Sequence, residues 1–105
     1  MRNVIDELYE VVLDRKANPQ EGSYTCYLFA QGLDKILKKC GEESAEVIIA
    51  AKNGDKEELT AEIGDLIYHL LVLMAEVEVA PDAVFALLAQ RRSQTGNRKT
   101  PNQTT

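Results

Sequence analysis

Apolar residues recur at intervals of three and four along almost the whole chain between Val4 and Arg92, the spacing of a helical face, and no stretch of useful length alternates as a strand does. Val4, Ile5, Leu8, Val11 and Val12 line one side of a first helix. The pattern fails from Ala17 to Thr25, where Asn18, Pro19, Gly22 and Ser23 favour turns, so this segment is predicted to be a loop. Leu33, Ile36, Leu37, Cys40, Val47, Ile48 and Ala51 then form a second stripe. It predicts a helix from about Tyr27 to Lys52, with room for a short leading piece, ended by the turn residues Asn53, Gly54 and Asp55. A third helix carries Leu59, Ile63, Leu66, Ile67, Leu70, Leu73, Met74 and Val77 on one side before Pro81, and is expected to be the central core helix. Pro81 suits the first turn of a fourth, short helix through Val84, Leu87 and Leu88 to near Arg92. Residues 93–105 hold no large hydrophobic side chain and are rich in Thr, Gln, Asn and basic residues, so a disordered C-terminal tail is expected there. The pattern as a whole predicts one all-α domain over residues 1–92, a helical bundle with no internal repeat.

Composition narrows the function classes. With 105 residues there is room for one ordinary domain and no separate cofactor-binding module. A chain this short buries a modest share of its surface, so pairing with a second copy, most simply as a homodimer, is expected to complete the core. No apolar run reaches the roughly 20 residues of a membrane span, and acidic residues stand where an export signal needs a long apolar stretch, so no membrane partner and a cytoplasmic location are expected. The formal net charge of −5 argues against a nucleic-acid partner bound by broad phosphate neutralisation. Cys26 and Cys40 are the only thiols and form no CxxC or Cys/His grouping, which speaks against structural zinc and a disulfide framework. Cys40 reads as a small core residue.

The acidity is concentrated. Glu42, Glu43 and Glu46 read EExxE, and positions three and four apart are neighbours on a helix, so Glu46 stands beside both of the others. At 100° per residue Glu43 falls at the border of the apolar stripe rather than on the solvent side. On the next helix Glu62 and Asp65 read ExxD and share a flank with Glu58, His69 and Glu76. If these two helices pack antiparallel, as their short connection favours, the acidic flanks face each other. An all-oxygen set of four or five carboxylates suits Mg²⁺ or Mn²⁺, and bound cations would cancel the repulsion among them.

EExxE, a spacer of fifteen residues and then ExxD resembles the pattern of the all-α nucleotide pyrophosphatases related to MazG. Within that superfamily, Gly22-Ser23-Tyr24-Thr25, the run from Lys35 through Lys39-Cys40-Gly41-Glu42-Glu43, and Asp65-Leu66-Ile67-Tyr68-His69-Leu70-Leu71 resemble the phosphoribosyl-ATP pyrophosphatase family. The likeness covers about residues 3 to 92. It implies a four-to-five-helix MazG-like bundle completed by dimerisation, and Mg²⁺-dependent hydrolysis of phosphoribosyl-ATP to phosphoribosyl-AMP and pyrophosphate in histidine biosynthesis. By motif position it implies Glu43, Glu46, Glu62 and Asp65 as metal ligands. Glu42 is then a catalytic base or outer ligand beside Glu43 and Glu46, and Lys35 and Lys39, one turn apart, are candidate contacts to the substrate phosphates. The chain departs from the family at its C-terminus, where members often carry a further ordered, basic segment. It has no Cys/His zinc cluster for the related cyclohydrolase activity, so phosphoribosyl-AMP cyclohydrolase is expected as a separate pathway neighbour.

Each residue also has a plainer reading. Lys35, Lys39, Glu42 and Glu46 fit a solvated face of salt bridges at four-residue spacing, and Glu62 with Asp65 fits an exposed flank. His69 either donates a hydrogen bond to a ligating carboxylate or is a packing residue. Tyr24 and Tyr27 either stack on a purine base or plug the bundle core. Arg91 and Arg92 either bind phosphate or favour a helix C-terminus.

Overall fold

The computed structural model describes residues 2–95, and every regular element among them is helical: α1 (Val4–Ala17), α2 (Tyr24–Gln31), α3 (Leu33–Asn53), α4 (Lys56–Val77) and α5 (Pro81–Thr95). Local chemistry sets these boundaries. The Asn3 side chain caps α1 by accepting from the Asp6 N–H at 2.9 Å, with Asp6 and Glu7 in the first turn and Arg15 and Lys16 in the last, as the helix dipole favours. Ser23 caps α2 by accepting from the Cys26 N–H at 3.1 Å. Asp55 caps α4 by accepting from both the Glu57 and Glu58 N–H groups at 3.1 Å. Gly54, with φ 77° and ψ 11°, takes the left-handed position that closes α3. Pro81, buried, opens α5, where its missing N–H costs nothing.

Three boundaries differ from the sequence reading. Tyr24 and Thr25 belong to a helix rather than to the loop, because Ser23 supplies the cap. The helix expected from Tyr27 to Lys52 is two helices broken at Gly32, whose φ of 93° and ψ of −176° lie in a region open only to glycine. Gly32 both ends α2, donating its N–H to the Leu28 carbonyl at 3.0 Å, and starts α3, accepting from the Ile36 N–H at 3.2 Å. Finally, α5 runs to Thr95, three residues beyond Arg92, since a formed helix propagates cheaply and no breaker intervenes before Gly96. The rest of the predicted tail lies outside the described residues.

The two-residue turn at Gly54 and Asp55 folds α4 back along α3, and this antiparallel pair is the most extensive contact in the molecule. Helix α4 also meets α1 and α2, which makes it the central helix, while α5 packs chiefly on α1. The core is Val12, Leu28, Ile36, Val72 and Ala75, with Tyr9, Phe29, Cys40, Tyr68 and Leu73 packed against it. Lys16 lies across the Phe29 ring, 5.8 Å from its centroid, and donates to the Ala75 carbonyl at 2.9 Å, tying the end of α1 to α4. The core uses only part of the expected apolar stripe of α4, Leu73 being packed against it. Leu71, Val72 and Ala75 are buried, whereas Ile63, Ile67, Leu70 and Val77 are 36–46% exposed. None of the helices is long and apolar enough, over the described residues, to cross a membrane.

Candidate active site

The antiparallel α3–α4 pair brings the two acidic motifs together. Carboxylate oxygens of Glu43 from α3 and of Glu62 and Asp65 from α4 all lie within 4.8 Å of one another, the only grouping of three such candidate ligands among the described residues. Helical spacing produces this. Glu62 and Asp65 are three apart and share a flank, and Glu43 faces them from the partner helix.

The difference between the two adjacent glutamates is as the helical wheel predicts. The Glu43 side chain is 13% exposed and turned inward, while that of Glu42 is 48% exposed at the rim. Glu46 is exposed and outside the tight trio, yet its charge acts on Glu62. Burial together with the negative charges of Glu46, Asp65, Glu43 and Glu58 raises the Glu62 pKa above its ordinary value. A cluster of like charges with one member held toward its neutral form is an arrangement that a cation would relieve.

Lys39 sits over the trio, 3.3 Å from Glu42 and 3.8 Å from Glu43. Burial works to lower its pKa, but the hydrogen bond to Glu42 and the charges of Tyr24, Glu42 and Glu43 prevail and raise it. Lys35, one turn earlier, diverges from Lys39 and stands over the Tyr27 ring, 5.9 Å from the centroid. Charge pairing at i+3 and i+4 therefore describes Lys39 but not Lys35.

His69 is buried, and its Nδ1 lies 2.7 Å from the Asp65 backbone carbonyl rather than from a ligating carboxylate. A carbonyl only accepts, so Nδ1 carries the proton in that bond, and in the tautomer with Nδ1–H alone Nε2 is an acceptor. The Tyr24 hydroxyl then donates to Nε2 at 2.9 Å. Next to it the hydroxyls of Thr25 and Tyr68 are hydrogen-bonded, a second link between α2 and α4. These two links join residues 45 and 43 positions apart, and periodicity within single helices held no signal for them. Tyr24 and Tyr27 are stacked at 6.2 Å and nearly half exposed, so they are not plugs of the bundle core. Arg91 and Arg92 are exposed on α5, the helix that packs chiefly on α1.

An all-helical bundle with clustered acids facing each other across an antiparallel helix pair places the chain in the all-α, MazG-like class. A family profile described as phosphoribosyl-ATP pyrophosphohydrolase matches residues 5–92. A phosphoribosyl-ATP pyrophosphatase of Clostridium botulinum strain Kyoto is 57% identical over 97% of this chain and 93% of its own length. One from Pelotomaculum thermopropionicum is 58% identical over 89% of this chain and 95% of its own. A histidine biosynthesis bifunctional protein, HisIE, of Thermoanaerobacter pseudethanolicus is 67% identical over 70% of this chain, which spans 34% of that longer protein. The chain belongs to the phosphoribosyl-ATP pyrophosphohydrolase family, hydrolases of a pyrophosphate bond.

Proposed function

We propose that the chain hydrolyses phosphoribosyl-ATP to phosphoribosyl-AMP and pyrophosphate in histidine biosynthesis, with Glu43, Glu46, Glu62 and Asp65 holding Mg²⁺, or Mn²⁺ in its place. The observation that carries this reading is the trio of carboxylates from two helices with oxygens within 4.8 Å of one another. Its donors are all oxygen, as hard divalent ions prefer, and burial together with repulsion from the surrounding acids raises the pKa of Glu62. When bound, the ion supplies positive charge to the phosphate oxygens and makes a water more acidic.

The rest of the chemistry falls to the chain's own side chains. Glu42 stands at the rim beside the trio and is the group to accept a proton from the water that breaks the anhydride between the α- and β-phosphates. Lys39 holds Glu42 at 3.3 Å, and an exposed pair at i+3 is worth only about 0.5 kcal/mol, so the ammonium can turn to an arriving phosphate at little cost. Lys35 adds a second cation for the same polyanion. Phosphoryl transfer depends chiefly on positioning and charge stabilisation, and these groups supply both. The phosphoribosyl-AMP passes to phosphoribosyl-AMP cyclohydrolase as the neighbouring activity, and pyrophosphate is released. The enzyme works as a cytoplasmic homodimer, its second copy covering the exposed apolar side of α3 and α4.

The decisive measurement is pyrophosphate release from phosphoribosyl-ATP and from ordinary nucleoside triphosphates, each with Mg²⁺ and with chelator. Chelator-sensitive preference for phosphoribosyl-ATP is expected, and hydrolysis only of the other triphosphates would reject the assignment. Glu43→Gln and Asp65→Asn are each expected to abolish turnover while retaining the fold, and wild-type turnover in either pure variant would remove the metal site from the reading.

A further inference from the structure

The site described so far accounts for the phosphates and leaves the base without a place. Beside it, the α1–α2 loop and the start of α2 enclose an open cleft of about 670 Å³, lined by Gly22, Ser23, Tyr24, Cys26, Tyr27 and Ala30 among others. Its conspicuous surface is aromatic. The Tyr24 and Tyr27 rings are stacked, with centroids 6.2 Å apart and planes 27° from parallel, and are 46% and 45% exposed. Ring faces held at the surface in this way are platforms on which a heteroaromatic base can stack.

The platform is fastened to the carboxylates. The Tyr24 hydroxyl donates to His69 Nε2 at 2.9 Å, and His69 Nδ1 donates to the Asp65 carbonyl at 2.7 Å, so the ring is pinned to the turn of α4 that carries Asp65. Lys35 stands over Tyr27 and pairs with no carboxylate among the described residues, which leaves a positive charge at the edge of the platform. A second cleft, lined by Asp55, Glu57, Glu58 and Ala61, is acidic and repels a polyphosphate nucleotide. Shape, charge and attachment all favour the first.

We propose that the Tyr24–Tyr27 cleft receives the purine base of the nucleotide whose anhydride is broken at Glu43, Glu62 and Asp65, with His69 as the residue that positions Tyr24. This rests on the pyrophosphatase reading above. Tyr27 is the better probe, since no hydrogen bond ties its hydroxyl to the carboxylate side among the contacts described.

The test uses the full chain with Mg²⁺ and compares wild type, Tyr27→Leu and Tyr27→Phe on phosphoribosyl-ATP. Loss of the stacking surface raises KM roughly 5- to 100-fold, the equivalent of one base–aromatic stack. It changes kcat less than KM, while Tyr27→Phe, which keeps the ring that the base and Lys35 both face, restores KM. An unchanged KM in a Tyr27→Leu protein of wild-type melting temperature overturns the proposal. Should Tyr27→Leu fold poorly, the wild-type protein answers instead. Ring protons of Tyr24 and Tyr27 shift on titration with AMP and not with ribose 5-phosphate if the base stacks there, and unshifted rings reject the cleft. Wild-type protein that hydrolyses no phosphoribosyl-ATP defeats the underlying pyrophosphatase reading, whereas hydrolysis with unaffected KM defeats the cleft alone.

Discussion

At Glu62, partial burial and then four neighbouring carboxylates push the proton affinity upward from the ordinary value of 4.5. A raised carboxyl pKa means that the folded protein keeps the proton at pH values where the unfolded chain has released it. The folded state then binds more protons, and stability falls as pH rises from about 4.5 through the raised value. Glu62→Gln has no such proton to lose. In chelator, the melting temperature of wild type measured against Glu62→Gln is therefore expected to decline as pH is taken from 4.5 toward neutrality, and added Mg²⁺ should close the difference. A gap that stays constant with pH would show that the acids do not interact as described. At this scale the sequence was informative wherever a residue's place followed from helical angle. The inward turn of Glu43 against the outward turn of Glu42 is the example. It was silent on the pairing of Tyr24 with His69, because that hydrogen bond depends on how α2 docks against α4 and not on either helix alone.

The elements themselves follow from short-range signals, and the break at Gly32, whose place the pattern did not mark, shows why. Phe29, Leu33 and Ile36 keep a spacing of four and three across Gly32, so periodicity runs straight through the point where the backbone turns. A glycine inside a helical pattern is only mildly unfavourable and announces no break unless its φ and ψ are known. At φ 93° and ψ −176°, however, a Cβ is excluded by the backbone itself, although nothing else lies within 4 Å of where it would stand. Gly32→Ala is therefore expected to cost about 1–3 kcal/mol, from backbone strain alone. Helix α4 ends in the opposite circumstance, with Glu78 at φ 62° in the left-handed region. Glu78→Gly is expected to gain about 0.5–1 kcal/mol by removing that penalty. Urea denaturation of both variants checks the pair, and a destabilised Glu78→Gly would mean that its side chain contributes more than its backbone costs. Placing Tyr24 in the loop also separates it from Tyr27, since it is the Ser23 cap that brings both tyrosines onto one helix.

The whole molecule is more open than its length calls for. Its radius of gyration is 16.0 Å, against about 13 Å for a compact domain of this size. The excess has a chemical counterpart in the apolar side chains left at the surface of the central helix pair. Ile63, Ile67 and Val77 on α4 are 42%, 38% and 46% exposed, and Leu37, Ile48 and Ile49 on α3 are 46%, 63% and 52% exposed. On α4 these residues are the exposed part of the stripe whose periodicity marked the helix as a core element. The apolar pattern marks a surface that favours burial, but no pattern in one chain reveals whether its own elements or another copy will do the burying. Small scattered apolar residues are ordinary on a surface, whereas a stripe running the length of two packed helices is the signature of an interface. Stable interfaces bury about 800 Å² on each partner, an area that two long helices can supply. The wild-type chain is accordingly expected to sediment at twice its 11.7 kDa mass. Ile67→Glu places a charge in the middle of that stripe, where burying it unpaired costs several kcal/mol, and should leave a monomer that retains its helicity. Sedimentation equilibrium at micromolar concentration separates the outcomes. A wild-type monomer would leave the stripe without a purpose in self-association, while an Ile67→Glu protein that still dimerises would move the interface off α4 and onto the exposed apolar residues of α5, Leu87 and Leu88.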